Sequence, residues 1–144
     1  MTNQAQSMVG TWALRSFSEL DVRTKAISFP MGDRPKATVI YTADGHVATI
    51  FTATGRAAPA GPHPTDSEAI RLFRTMVAFA GRYEIAGREL IYHPEVSWNE
   101  AWNGTRQVRT FELSADLLKI SSAPAASVLG NAQTIMTMTW KRAA

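Results

Sequence analysis

The stretch Met8-Val9-Gly10-Thr11-Trp12 decides the fold, because Gly10-Thr11-Trp12 opens a strand-like run close to the start of the chain. A Trp on the first strand can plug one end of a barrel with its ring and still find a hydrogen-bond partner for its N–H. An ordinary buried Trp after a turn glycine is the alternative. The triplet therefore predicts a closed barrel only together with the pattern that follows it.

The rest of the chain consists of short alternating runs separated by turn residues, which is typical of an antiparallel sandwich or barrel. Asp44-Gly45 between two β-rich runs predicts a hairpin. We expect an all-β fold, a closed antiparallel barrel of about eight to ten strands with one short helix. The predicted strands are Thr11 to Glu19, Arg23 to Phe29, Ala37 to Thr42, His46 to Thr52, Arg82 to Ile85, Glu89 to Trp98, Thr105 to Leu113, Leu117 to Ser121 and Gln133 to Arg142.

One helix interrupts the strands. Thr65-Asp66-Ser67-Glu68 matches a capping box, and apolar residues then recur at helical spacing, which predicts a helix from Thr65 to Phe79. It is expected against the outside or the mouth of the barrel, where it could gate a ligand. The segment before it, Ala53 to Pro64, is dense in Ala, Gly and Pro, and we expect it to be a connection at the rim.

Composition narrows the function. The chain of 144 residues fits a single domain, residues 1–144. Its net charge is +3, and its arginines are scattered from Arg15 to Arg142 rather than clustered, so nucleic acid is not an expected partner. Without cysteine there is no thiolate chemistry, and His46 and His63 lack metal-ligand spacing, so no metal site is expected. No dinucleotide or phosphate-binding motif occurs, so no cofactor is expected. No apolar run is long enough to span a membrane, so we expect a cytoplasmic protein. We also expect a monomer or a homodimer.

In their order and spacing, several segments resemble the lipocalin-like domain proteins of bacteria and of fungal biosynthetic clusters. The segments that carry the resemblance are Met8 to Trp12 with Leu14 and Phe17, Val39 to Gly45, Phe79 to Glu84, Tyr92 to Ser97, Trp102 to Leu113, and Trp140. The resemblance implies a calycin-type barrel that holds a small, largely apolar molecule, and it implies no particular reaction. Pro94 departs from the family pattern and, lacking an amide, predicts a bulge or free edge in its strand.

The chemistry-bearing residues lie on two runs that should pair as a hairpin through Asn99 to Gly104. If the turn is centred there, residues whose numbers sum to about 202 face each other. That register places His93 beside Arg109, Glu95 beside Gln107, and Ser97 beside Thr105. Phe111 and Leu113 would share this face, so we expect it to point inward. The alternative is that this face meets solvent while the opposite one, with Leu90, Tyr92, Val96, Trp98 and Val108, fills the core.

Three functions follow from this arrangement. The first is binding of a small, largely apolar molecule, with a polar cluster orienting its oxygen-bearing end. The second is a cofactor-free enzyme that isomerises, cyclises or dehydrates such a molecule, with His93 as general acid or base, Glu95 orienting it and Arg109 holding an oxyanion. The third is an interaction module with a filled core. The predicted ligand-binding residues are Trp12, Tyr41, Gln107, Phe111, Met136 and Met138.

The last predicted strand ends in Trp140-Lys141-Arg142. In a closed barrel this strand returns beside the first. We therefore expect a cation from its end to lie over the Trp12 ring, in a structural role.

Overall fold

The computed structural model describes residues 6–127 and 130–143. The strands within these residues form one antiparallel sheet in which β1 also pairs with β10, so the sheet closes on itself. The strands are β1 (Gly10–Asp21), β2 (Ile27–Ser28), β3 (Lys36–Tyr41), β4 (His46–Thr52), β5 (Met76–Ala86), β6 (Glu89–Ser97), β7 (Gln107–Ser114), β8 (Leu117–Ser122), β9 (Ala125–Ala126) and β10 (Gln133–Arg142). The predicted closed barrel is confirmed, with β2 and β9 as two-residue additions to eight longer strands.

The two ends of the barrel differ. Tight turns join β3 to β4, β5 to β6 and β7 to β8 at the end where β1 begins and β10 finishes. The longer connections all lie at the opposite end, because the strands alternate in direction. They include helix α1 (Asp66–Arg74) and a 3-10 turn (Glu100–Trp102). We call the first the closed end and the second the mouth. No helix in the described residues is long and apolar enough to cross a membrane.

Trp12 seals the closed end, as predicted. Its side chain is 0% exposed, and its Nε1 donates to the carbonyl of Met8 at 2.9 Å. The guanidinium carbon of Arg142 lies 4.2 Å from the centre of the Trp12 ring, and its Nη1 donates to the Val9 carbonyl at 3.0 Å. The expected cation over Trp12 is therefore Arg142, which ties the end of β10 to the residues that lead into β1.

Truncating Trp12 tests this packing. Trp12→Ala should lower the free energy of unfolding by about 3–5 kcal/mol, because it removes a large buried ring and leaves a cavity. Phe29→Ala is the matched control, since Phe29 is 59% exposed and its loss should cost little. Urea denaturation of both variants measures the difference. Equal stability for the two variants would contradict a sealing role for Trp12.

Two irregularities set which side chains point inward. A register shift between Leu14 and Ser16 leaves Arg15 as an extra residue in β1, so the inward positions change from Trp12 to Phe17 and Glu19. Of the bulge or free edge predicted from Pro94, the structure shows a bulge in β6. There Ala80 pairs with Val96 but Gly81 pairs with Pro94.

Gly81 is required by the bulge in β6. A Cβ at this position would lie 2.1 Å from the carbonyl oxygen of His93, which is backbone and cannot rotate away. Gly81→Ala should therefore destabilise the protein by about 1–3 kcal/mol or more. Gly61→Ala is the control, since nothing lies within 4 Å of a Cβ there. Thermal unfolding should show a clearly lower Tm for Gly81→Ala alone, and matching Tm values would refute the close approach.

The predicted helix begins correctly and ends too late. Thr65 is the N-cap of α1, and the capping box with Glu68 is formed. The helix stops at Arg74, because Met76 and Val77 already pair with β4. The spacing attributed to a longer helix belongs to a strand whose inward residues are Val77, Phe79, Gly81 and Tyr83.

The predicted strand from Arg23 to Phe29 is also shorter than expected, and only β2 remains of it. The carboxylate of Asp21 accepts hydrogen bonds from the amides of Arg23 and Thr24 at 2.8 and 2.9 Å. Lys25 then adopts a left-handed conformation with φ 65. These bonds satisfy backbone amides locally, so the chain forms a turn after β1 and pairs with it again only at Ile27 and Ser28.

Candidate functional site

An apolar cavity occupies the barrel interior above the closed end. Together with its opening it contains about 500 Å³ of atom-free space, of which the centres of water-sized molecules can occupy about 50 Å³. A single buried water needs roughly 10–15 Å³ on the latter measure, so the cavity is a narrow slot. Its lining is largely aromatic and aliphatic: Phe17, Val39, Thr49, Phe51, Val77, Phe79, Tyr92, Trp102, Arg109, Met136, Met138 and Trp140.

The cavity meets a wider and more polar space at the mouth. This space admits about 350 Å³ on the same measure, and its walls include Glu19, Trp98 and Gln107. Trp102 and Arg109 line both spaces, as does Met136. Arg109 therefore lies at the junction between an apolar slot and a polar mouth.

The predicted pairing of the two chemistry-bearing strands is wrong in register. Tyr92 pairs with Gln107 and Leu90 with Arg109, so paired residue numbers sum to 199 rather than 202. Pairing stops at Tyr92 because the chain beyond it forms the β6 bulge and then the 3-10 turn, with the amide of Gly104 donating to Pro94 at 2.9 Å. An odd shift in register exchanges the two faces of a strand.

The shift separates the residues that were predicted to act together. His93 lies on the outer face with its Nε2 2.8 Å from the carboxylate of Glu84, and Glu95 is exposed 3.7 Å from the guanidinium of Arg82. Arg109 and Gln107 lie on the inner face, as predicted. Of the proposed polar cluster, the structure brings these last two together and leaves His93 and Glu95 outside.

Arg109 is held by neutral groups. Its Nη1 donates to the Val108 carbonyl at 2.9 Å, and its Nη2 lies 3.4 Å from the amide oxygen of Gln107, a long contact. Gln107 in turn donates to the hydroxyl of Thr105 at 2.8 Å. Burial lowers the pKa of the Arg109 guanidinium, and the neighbouring Tyr92 raises it. Arginine nevertheless keeps its charge in proteins, so the junction carries a positive charge.

None of the ion pairs formed within residues 6–127 and 130–143 includes Arg109. A partly buried cation that forms no ion pair is costly unless something else compensates it, and the carboxylate of Glu19 at the mouth accepts from Ser127 instead. The site is therefore electrostatically suited to an anion or to a polarised oxygen. The guanidinium N–H groups of Arg109 can hold a carboxylate in a bidentate manner.

Next to Arg109 lies Tyr92, which forms a buried pair with Tyr41. The hydroxyls of Tyr41 and Tyr92 are 2.6 Å apart, and their rings are stacked with centroids 6.4 Å apart. Burial raises the pKa of Tyr92 to about 12 and raises that of Tyr41 well above its usual value. Both hydroxyls are therefore neutral at physiological pH and satisfy each other.

The other predicted binding residues divide into two groups. Met136 and Met138 line the cavity, and Gln107 lies at the mouth. Trp12, Tyr41 and Phe111 are buried in the core but do not line the cavity. Each of these three side chains points into the barrel, but none lies where it could contact a ligand in the cavity.

Most residues that line the cavity were not predicted from the sequence as site residues, and three residues of the site show why. Glu19 is 2% exposed at the mouth and accepts a hydrogen bond from Ser127 at 2.6 Å; the bulge at Arg15 turns it inward. Trp102 was assigned to a turn. Trp140 was assigned a place in the last strand, and the strand alternation of β10 could have placed it beside Met138 and Met136.

The geometry defines a small β-barrel with one sealed end and a narrow apolar cavity that opens towards a wider, more polar mouth. A family model described as a lipocalin-like domain matches residues 9–143, nearly the whole chain. The protein belongs to the lipocalin-like domain family, and the resemblance noted from the sequence is confirmed. No curated protein matches the sequence significantly. Membership indicates small-molecule binding in general.

The tyrosine pair predicts a loss of stability at high pH. Tyr92 has a pKa of about 12 in the folded protein against 10.0 ordinarily, so the folded state holds its proton longer than the unfolded state. The stabilisation is full below pH 10 and is lost as pH rises towards 12, by about 3 kcal/mol for this group.

Replacing both hydroxyls in Tyr41→Phe/Tyr92→Phe should flatten this alkaline decline, because neither residue then has a proton to lose. Both partners are replaced together so that no buried hydroxyl is left unpaired. Urea denaturation of the wild type and the double variant at pH 8, 10 and 11 measures the effect. Parallel declines would show that the pair does not control alkaline stability.

Proposed function

We propose that this protein binds a small, largely apolar molecule in the barrel cavity, with the oxygen-bearing end of that molecule held by Arg109 and Gln107. The observation that supports this most directly is a positive charge at the rim of an apolar slot without an acidic partner among the described residues. A ligand with an apolar body and a carboxylate or carbonyl end would satisfy both surfaces at once.

The orientation of the ligand follows from the two spaces. The apolar body enters the narrow slot between aromatic rings and methionines, and the oxygen stays near the wider mouth. Met136 and Met138 suit this task because methionine side chains are flexible and adapt to ligand shape. The aromatic contacts at the rim, such as Trp98 against Trp102 with centroids 5.1 Å apart, extend the apolar surface into the mouth.

The enzymatic alternative has no observation in its favour. It required an imidazole inside the cavity, and His93 lies on the outer face with Glu84. Among the titratable groups at the slot, Arg109 and the neutral Tyr92 can hold an oxygen but are poorly matched to proton transfer near neutral pH. The carboxylate of Glu19 lies in the wider mouth and already accepts a hydrogen bond from Ser127. We therefore propose binding, and we propose no reaction.

Binding of dodecanoic acid tests the role of Arg109. Displacement of the fluorescent probe 1-aminoanthracene should give Kd values for dodecanoic acid and for 1-dodecene, which lacks oxygen. Arg109→Ala should weaken binding of the acid by roughly 10- to 150-fold, because a charged hydrogen bond contributes about 1.5–3 kcal/mol. The Kd for the alkene should not change.

Arg82→Ala is the matched control, because Arg82 is an exposed arginine on the outer face. His93→Ala serves as a second control and should bind both compounds like the wild type. Equal loss of the acid in Arg82→Ala and Arg109→Ala would indicate only a general charge effect. Unaltered acid binding in Arg109→Ala would refute the proposed function.

A further inference from the structure

A buried polar group beside the deep end of the cavity is not used by the proposed function. Trp140 lines the cavity and is 1% exposed, yet its indole Nε1 has no hydrogen-bond partner among the described residues. Buried side-chain donors without a partner are rare in native proteins, because each loses its hydration and gains nothing in return. This N–H therefore needs an explanation.

The surroundings of Trp140 offer only a weak alternative. The ring of Phe51 packs against the indole in a T-shaped arrangement, with centroids 5.3 Å apart. An aromatic face is a much weaker acceptor than an oxygen atom. The indole of Trp12 shows the contrast, since its N–H is equally buried and is satisfied by the Met8 carbonyl at 2.9 Å.

The strands fix the separation between Trp140 and Arg109. Arg109 pairs with Ser122, whose hydroxyl accepts from the amide of Met136 at 2.9 Å, so Arg109 and Met136 lie at one level of the barrel. Trp140 follows Met136 by four residues on β10. At ~3.3 Å per residue, roughly 13 Å of strand separates the two levels.

We propose that Trp140 is a second polar anchor, and that the ligand carries a hydrogen-bond acceptor such as a ketone oxygen at its buried end, opposite the oxygen held by Arg109. This inference rests on the proposed function and narrows the ligand class. The ligand is a molecule with two oxygen functions at opposite ends of an apolar body. A simple fatty acid would satisfy Arg109 and leave the indole N–H unmet.

A ligand series with a movable ketone tests the proposal. The compounds are dodecanoic acid, its 7-oxo, 9-oxo and 11-oxo derivatives, and the matching analogues in which a methylidene group replaces the ketone oxygen. At one ketone position the ketone should bind about tenfold more tightly than its methylidene analogue, because only the oxygen accepts from Trp140. This preference should disappear in Trp140→Phe.

Nuclear magnetic resonance of the wild-type protein with ¹⁵N-labelled indoles gives a second measurement. It does not depend on whether Trp140→Phe folds. The matching ketone should shift the Trp140 N–H resonance downfield, and its methylidene analogue should not. The Trp12 resonance is the internal control and should stay in place, since its N–H already has an acceptor.

The outcomes separate the two proposals. Arg109-dependent binding of the acids, with no ketone preference at any position and an unmoved Trp140 resonance, overturns the inference about Trp140 and assigns its N–H to the Phe51 ring. Absence of Arg109-dependent binding for every acid overturns the proposed function and this inference with it. A position-dependent ketone preference that is lost in Trp140→Phe supports both.

Discussion

The pairing of β1 with β10 is the constraint on which the rest of the structure depends. It removes both free edges of a meander that would otherwise be an open sheet, and it turns one face of every strand into an interior. Arg142 over the Trp12 ring holds the two strand ends together at the closed end. Without this closure, neither a cavity nor a distinction between inner and outer faces would exist.

Closure at one end leaves the other free to carry polar groups. At the floor of the barrel, the Trp12 N–H and the hydroxyls of Tyr41 and Tyr92 have partners within the protein, whereas the N–H of Trp140 has none among the described residues. Towards the mouth, Arg109 faces a cavity and forms no ion pair in the described part of the chain. Stability and binding thus rest on different levels of the same strands.

The parity of strand pairing decides which residues belong to the site. His93 and Arg109 were predicted to be neighbours, and a register sum of 199 places them on opposite sides of the barrel wall. The same effect appears in β1, where the extra residue Arg15 turns Glu19 inward. In β6, pairing with β7 stops where the bulge at Pro94 faces Gly81 and the 3-10 turn follows. The register between β6 and β7 therefore depends on how the connection folds, and the alternation within either strand does not reveal it.

The sequence alone determined the closed antiparallel barrel, the Trp12 seal with its cation, the capping box at Thr65 and the bulge at Pro94. The capping box and the bulge rest on local chemistry, whereas closure and the cation over Trp12 follow from the number and order of strands that the turns and the alternation predict. Only the tertiary structure decided where α1 ends, which residues share a face with Arg109, and that the N–H of Trp140 beside the cavity has no partner among the described residues. These depend on pairing between strands distant in sequence, where a displacement of one residue reverses every side chain.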